Sequence, residues 1–190
     1  MKKSLILILL FLFSFSNAVS DEPPLLMTEF ISQNNQYKLI FTGRVNDINN
    51  YIDNWELINI NTNESIYNFI YNRHFISGQK VFISDDGQYI ILINWFLGAN
   101  PRTENLRDIN NKIVIEFFYR GTEINRYKLS DVFGNTRRGI QSVSHFQWTR
   151  YNNDRNSIIM ENNQIIIRTL ESYEYRFNIR DGNIISRRRI

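Results

Sequence analysis

The chain contains no cysteine and only two histidines, His74 and His145, among its 190 residues. Without cysteine there are no disulfide bonds, and no thiol is present to carry a lipid anchor at a mature N-terminus. Zinc sites usually take three or four His, Cys or carboxylate ligands, so two isolated histidines predict a protein with no metal site and no other cofactor. His145 lies in a strand-like run, which favours a structural role.

A long apolar run is also missing. The longest stretch, residues 5–13, is about half the ~20 residues that a membrane span needs. Lys2 and Lys3 precede it, and the small residues Ala18 and Ser20 follow it. This order is typical of a secretory signal peptide. We interpret residues 1–20 as a signal peptide and residues 21–190 as a single β-rich domain, periplasmic or secreted, without a membrane span. Because small secreted domains usually carry disulfides, the lack of cysteine favours a bacterial envelope or secreted protein.

The chain has little net charge once the signal peptide is removed. The 22 basic and 19 acidic residues give +3. Removing Lys2 and Lys3 leaves 20 − 19, or +1, for the mature domain. A nucleic-acid-binding domain usually carries a larger basic excess, so no nucleic acid is expected as a partner. The one dense basic patch, residues 187–189, is interpreted as a solvated tail or a basic last strand.

Short runs of β-branched and aromatic residues alternate with Asn, Asp and Gly turn clusters along the mature chain. Residues 173–180 alternate apolar and polar side chains, as expected of a strand with one buried face. The continuous run at 90–93 predicts a central strand that is buried on both faces. The predicted strands cover residues 37–41, 55–60, 66–71, 80–84, 88–95, 112–119, 123–129, 142–148, 157–160, 164–170, 173–179 and 183–187.

A weak internal repeat groups these strands. A strand, a turn and a second strand recur around Asn63, Gly121 and Gly182, which are 58 and 61 positions apart. Buried-type runs precede the last two of these hairpins, so each unit is expected to have about four strands, like a propeller blade.

Residues 82–92, with Ser84-Asp85-Asp86-Gly87 leading into Tyr89, resemble the strand turn of bacterial β-propeller repeats of the TolB and WD40-like kind. The similarity continues through Asn94-Trp95, the run at 113–119 and the segment at 127–131, and covers about residues 80–131. It implies blade-like antiparallel sheets and indicates little about activity. Closed propellers have at least about four blades. Three units therefore predict an all-β fold of antiparallel blade-like sheets, either an incomplete propeller or an open sandwich.

No catalytic motif stands out. The G-x-S-x-G elbow of serine hydrolases is absent from the sequence, and Asp85-Asp86-Gly87 lacks the spacing of a calcium loop. Three glutamates lie in predicted strands, and no spacing selects a catalytic pair among them: Glu56, Glu116 and Glu174.

Aromatic and arginine residues are the candidates for binding, because exposed Trp, Tyr and Arg often dominate interfaces. We single out Trp95, Arg102, Arg107 and Trp148 as candidates. For each tryptophan the favoured alternative is a core or sheet-packing role. Residues 97–109 form a long charged connection that we expect to stay solvated.

These features predict a non-catalytic binding or structural module of the bacterial envelope or secreted fraction. Its contact face would be an edge strand or the connection at 95–109, and its partner an envelope protein or glycan. The alternative is a small hydrolase acting on envelope glycans or peptides. An enzyme should bring carboxylates or a histidine together in a pocket, whereas a binding module should expose a distinctive patch.

The signal peptide yields the first testable prediction. The exported chain should begin at Asp21, or at Val19 if the upstream small residues direct the cut. N-terminal sequencing of the protein recovered from the exported fraction measures this. A membrane-bound chain that still carries Met1 would contradict it.

Overall fold

The computed structural model describes residues 28–47, 50–72, 79–98, 106–134, 139–141, 145–150 and 157–190. This part of the chain is mostly β, with three four-stranded antiparallel sheets and one small three-stranded sheet. None of the four-stranded sheets closes into a barrel. The predicted all-β class with open antiparallel sheets is confirmed.

The three four-stranded sheets follow one another along the chain. The first contains β1 (Glu29–Ile31), β2 (Tyr37–Asp47), β3 (Asn50–Asn59) and β4 (Ser65–Tyr71). The second contains β5 (Gln79–Ile83), β6 (Tyr89–Asn94), β8 (Ile113–Tyr119) and β9 (Thr122–Lys128). The third contains β12 (Ile158–Glu161), β13 (Gln164–Arg168), β14 (Tyr173–Asn178) and β15 (Ile184–Arg189). The small sheet pairs β10 (Ile140–Gln141), β11 (His145–Gln147) and β7 (Phe96–Gly98). The described residues also form two short helices, α1 (Leu106–Asn110) and α2 (Leu129–Val132).

The expected repeat of four-stranded units is present. In each of the three four-stranded sheets the strands pair in chain order, and the last hairpin turns at the predicted position. Asn63, Gly121 and Gly182 occupy these three turns with φ angles of 58°, 83° and 71°. Only Asn and Gly adopt this left-handed region at little cost, which explains the turn residues from which the repeat was recognised.

A second turn also recurs, between the first two strands of the first and second sheets. A serine hydroxyl donates to an Asx side chain two residues later and accepts the backbone N–H of the tyrosine that ends the turn. The bonds are Ser32 to Asn34 (2.7 Å) and Tyr37 to Ser32 (3.0 Å), and Ser84 to Asp86 (2.6 Å) and Tyr89 to Ser84 (2.9 Å).

The second sheet lies between the other two. Ile90 and Leu92 pack into one apolar cluster with Trp55, Leu57 and Phe69 of the first sheet. Alternate residues of the same strand pack into a larger cluster with the third sheet, whose members include Ile91, Ile93, Ile115, Phe117, Ile165, Tyr175 and Phe177. The central strand predicted at 90–93 is therefore buried on both faces.

At both junctions a tyrosine on the last strand of one sheet donates to a turn of the next sheet, although the two turns are not equivalent. Tyr67, on the last strand of the first sheet, donates to the carbonyl oxygen of Gly87 in the second (3.2 Å). Tyr127, on the last strand of the second, donates to the carbonyl oxygen of Gly182 in the third (2.8 Å). The three sheets thus stack as a series with a first and a last member.

The expectation that residues 97–109 stay solvated is wrong at both ends of that segment. Leu97 lies in β7 and Ile109 in α1, and both side chains are buried in the larger cluster. Apolar residues at the two ends of a charged connection fold back onto the core because burial stabilises each by about 1.5–3 kcal/mol. At the start of the short helix α2, Asp131 accepts the backbone N–H of Lys128 (2.7 Å).

Gly182 tests the junction between the second and third sheets. A Cβ added there would lie 2.6 Å from Cβ of Asn125 and 2.9 Å from Phe117, at a φ of 71°. We expect Gly182→Ala to lower the free energy of unfolding by about 2–4 kcal/mol, combining left-handed strain with overpacking.

Gly134→Ala is the matched control, because among the described residues its added Cβ would meet only Glu171, at 4.0 Å. Chemical denaturation of the purified chains measures both. Equal stability of the two variants would show that the close approach at Gly182 does not constrain the junction.

Candidate binding surface

The structure separates the residues that the sequence suggested for binding. Trp148 is buried in the core, where its indole N–H donates to the carbonyl oxygen of Asn94 (2.7 Å). It therefore offers no surface to a partner, which corrects its place among the binding candidates. Trp95, next to Asn94 in sequence, is half-buried against the same cluster. Arg107 is exposed on α1, and Arg102 lies outside the described residues.

Two of the buried carboxylates lie between the first and second sheets. Glu116 is 1% exposed and accepts a hydrogen bond from the Tyr71 hydroxyl (2.6 Å). Asp53 is fully buried and is held by the Arg44 guanidinium (3.1 Å). A catalytic carboxylate must reach its substrate, whereas these two are enclosed and hydrogen-bonded, as buried structural charges need to be. The described residues contain no cluster of three His, Asp or Glu placed to hold a metal ion.

The outward face of the third sheet is different, because it gathers three arginines around one carboxylate. In β14 the side chains of Tyr175 and Phe177 point into the core, so Glu174 and Arg176 point outward. The strand register places Arg168 on one side of Glu174 and Arg188 on the other. We call Arg168, Glu174, Arg176 and Arg188 the arginine face.

The contacts on the arginine face are short. Arg168 and Arg176 each donate through Nε to Glu174 at 3.1 Å, and Nη2 of Arg188 lies 2.7 Å from the same carboxylate. The side chain of Glu174 is 1% exposed, while those of Arg176 and Arg188 are 33% and 60% exposed. Three guanidinium groups thus surround one carboxylate, and those of Arg176 and Arg188 are open to solvent.

The arginines determine the protonation of this carboxylate. Burial by itself would raise the pKa of Glu174, but hydrogen bonds from Arg168 and Arg176 and the positive charge of Arg188 together lower the pKa below its ordinary value. Glu174 therefore stays ionised at neutral pH and holds the guanidinium groups in position.

The last strand, which contributes Arg188 to the arginine face, carries further basic residues. Arg187 points to the other side of the sheet, where its guanidinium stacks on Tyr173 at 4.2 Å from the ring centroid. Ile185, 52% exposed, lies on the same strand. Of the two interpretations of residues 187–189, the basic last strand is confirmed.

The alternation at 173–180 does not predict the arginine face, because it indicates only that Glu174 points away from the core. A usable signal was present, since Arg168, Glu174 and Arg176 fall on adjacent strands joined by a tight turn. Cross-strand neighbours at such positions lie about 5 Å apart, so opposite charges there indicate an ion-pair network.

Comparison with known proteins does not assign the chain to a family. No family model matches the sequence, and no curated protein matches it either. In the part of the chain that the structure describes, no helix is long and apolar enough to cross a membrane.

Glu174 gives a prediction about pH. Because its pKa is lowered on folding, the ion pairs stabilise the fold above the unfolded-state pKa of about 4.3, and this stabilisation is lost as pH falls through the folded-state pKa. At pH 7 we expect Glu174→Gln to cost about 2–3 kcal/mol, less than a fully enclosed pair would because the arginines stay partly hydrated.

Urea denaturation of both proteins at a series of pH values from neutral to acid measures the difference. The gap between the wild-type chain and the variant should shrink as the pH falls below 4.3 or so. A gap of constant size would show that the ionised carboxylate is not what stabilises this face.

Proposed function

We propose that the protein is a non-catalytic binding module of the bacterial envelope or secreted fraction, and that its arginine face binds carboxylate groups of a partner. The observation that carries the proposal is the excess of exposed guanidinium groups, already ordered around a buried carboxylate. Arginine forks match the geometry of a carboxylate and can bind it through two parallel hydrogen bonds.

Preorganisation supports a binding role for this face. Holding a long side chain in one conformation costs about 0.5–1.5 kcal/mol when a partner binds. Glu174 already restrains Arg176 and Arg188 through contacts of 3.1 Å and 2.7 Å. A partner that meets restrained arginines therefore loses less binding free energy than one that must order them.

The partner class follows from charge and location. The mature domain has a net charge of only +1 (20 − 19), which favours recognition of a local acidic patch over a polyanion such as nucleic acid. The signal-peptide pattern at residues 1–20 favours a domain outside the cytoplasm. An envelope protein or glycan that bears carboxylates fits both features.

Binding of soluble polyglutamate tests this proposal. The labelled chain is kept dilute and titrated with the polymer at low and at physiological salt, and fluorescence anisotropy reports binding. We expect binding that weakens with salt. The double variant Arg176→Ala/Arg188→Ala should bind about tenfold more weakly, since each 1.4 kcal/mol of lost contact is a factor of ten.

Arg126→Ala is the matched control, because that arginine is also about half exposed and ion-paired, on the last strand of the second sheet. It should bind polyglutamate like the wild-type chain. Equal loss in the control and the double variant would mean that polyglutamate senses overall charge and not the arginine face, which would contradict the proposal. Alginate in place of polyglutamate then distinguishes a glycan from a protein as the source of the carboxylates.

A further inference from the structure

The three sheets stack in one direction along the chain. The outer face of the first sheet therefore corresponds to one side of an internal junction, and the outer face of the third sheet corresponds to the other side. At each internal junction a sheet presents one face to its predecessor and the opposite face to its successor. We call these the front and the back of a sheet. The described residues leave two such faces without a neighbouring sheet, namely the front of the first and the back of the third.

The front of the first sheet is defined by its register. Glu116, on the front of the second sheet, pairs with Leu92, three positions after the turn-ending Tyr89. Glu56 pairs with Ile40, three positions after the turn-ending Tyr37. Glu56 therefore occupies in the first sheet the position that Glu116 occupies in the second.

Glu116 shows what this position does at a junction. It is buried against the preceding sheet and accepts a hydrogen bond from Tyr71, at the end of that sheet's last strand. Glu56 is partly exposed and has no ion-pair partner among the described residues. The front of the first sheet thus carries a carboxylate, Glu56, at the position where a preceding sheet would supply a hydrogen-bond donor.

Apolar side chains surround Glu56 on the same face. Ile31 and Ile70 are 52% and 55% exposed. Ile40 and Ile58 lie between them in the register and are partly exposed. A second carboxylate, Glu29, lies at the edge of this face within 3.6 Å of Lys38.

The back of the third sheet carries the opposite charge. In the first two sheets the back is apolar, with Trp55 and Leu57 in one and Ile115 and Phe117 in the other. In the third sheet the back is the arginine face. Arg188 lies six positions after Gly182, as Phe69 lies six positions after Asn63 in the first sheet. Phe69 packs at its junction on Phe118, the neighbour of Glu116 on the front of the second sheet.

We propose that the partner of the arginine face is a second copy of this chain, whose first sheet packs its front on that face and brings Glu56 to Arg188. The inference rests on the proposed function, since it names the partner of the same face. The contact is head to tail, so it must either close into a ring or continue as a filament. Two copies that close on each other give six stacked sheets, within the range of closed propellers.

The area of such a ring is adequate for a stable dimer. Four strands of about six residues, spaced ~4.8 Å apart with a rise of ~3.3 Å, present a face of about 19 by 20 Å. Two contacts between such faces bury about 1,500 Å² in all, which is in the range of stable interfaces. A single contact would fall below this range, which favours the closed form.

Light scattering coupled to size-exclusion chromatography tests the proposal on the exported chain. We expect twice the mass of one chain at micromolar concentration. Glu56→Arg and Arg188→Glu should each give monomers, because each places like charges at both contacts of the ring. Glu64→Arg, an exposed charge reversal in a turn of the same first sheet, should remain dimeric.

Mixing the two monomeric variants in equal amounts should restore the dimer. In a mixed ring one contact is of wild-type charge and the other joins the introduced arginine to the introduced glutamate, so both attract. Restoration also shows that each variant is folded. A monomeric wild-type chain, open filaments, dimers unaffected by Glu56→Arg, or variants that stay monomeric on mixing would each overturn the proposal.

The outcomes for this partner and for the proposed function can be told apart. Glu56→Arg leaves the arginine face intact, so its monomers should bind polyglutamate, whereas Arg188→Glu should not. If the wild-type chain is monomeric and this difference is still found, the carboxylate-binding function stands and only the second copy is excluded as the partner.

Discussion

Burial of the second sheet on both faces is the constraint on which the rest of the structure depends. Ile90 and Leu92 serve one apolar cluster, and Ile91 and Ile93 serve the other, so four consecutive isoleucine and leucine side chains belong to two different cores. A shift of one residue in the pairing of this strand would exchange the two sets. The positions of the first and third sheets, and therefore of every outward face, follow from that register.

The buried carboxylates show which polar groups this packing can accommodate between the sheets. Glu116 lies between two sheets and is acceptable there because Tyr71 donates to it. Asp53 is acceptable because Arg44 does the same. A carboxylate without such a donor would cost several kcal/mol inside the stack. Charged side chains in excess of their partners can therefore remain only at the ends of the stack, and the arginine face lies at one of these ends.

Much of the fold could be predicted from the sequence because it depends on local signals. The period-two alternation at 173–180 and the turn residues Asn63, Gly121 and Gly182 reflect backbone preferences that act over a few residues. The three sheets and the repeat followed from them. The short strands β1, β7 and β10 could not be predicted, since two or three residues carry no period and their pairing is decided by distant neighbours.

The candidate site could be predicted far less well, because it depends on contacts across strands. Trp148 has the composition of a binding residue, and only its position beside Asn94 shows that it is a core residue. The residue type of Glu174 indicates no special role, and only the strand register and contacts show that three arginines surround it. Residue type indicates what a side chain can do, whereas the neighbours across the sheet decide whether it does so.

The repeat itself carries this argument one step further. Glu56 and Glu116 occupy equivalent positions in two sheets, yet one is buried with a donor and the other is partly exposed. Their local sequence does not cause the difference, since each lies in a third strand opposite an apolar residue. What differs is the neighbouring sheet, which exists in front of Glu116 and not in front of Glu56 among the described residues. In a stacked fold made of similar units, equivalent positions lose their internal neighbours at the two ends, and these are the positions at which we propose that a partner binds.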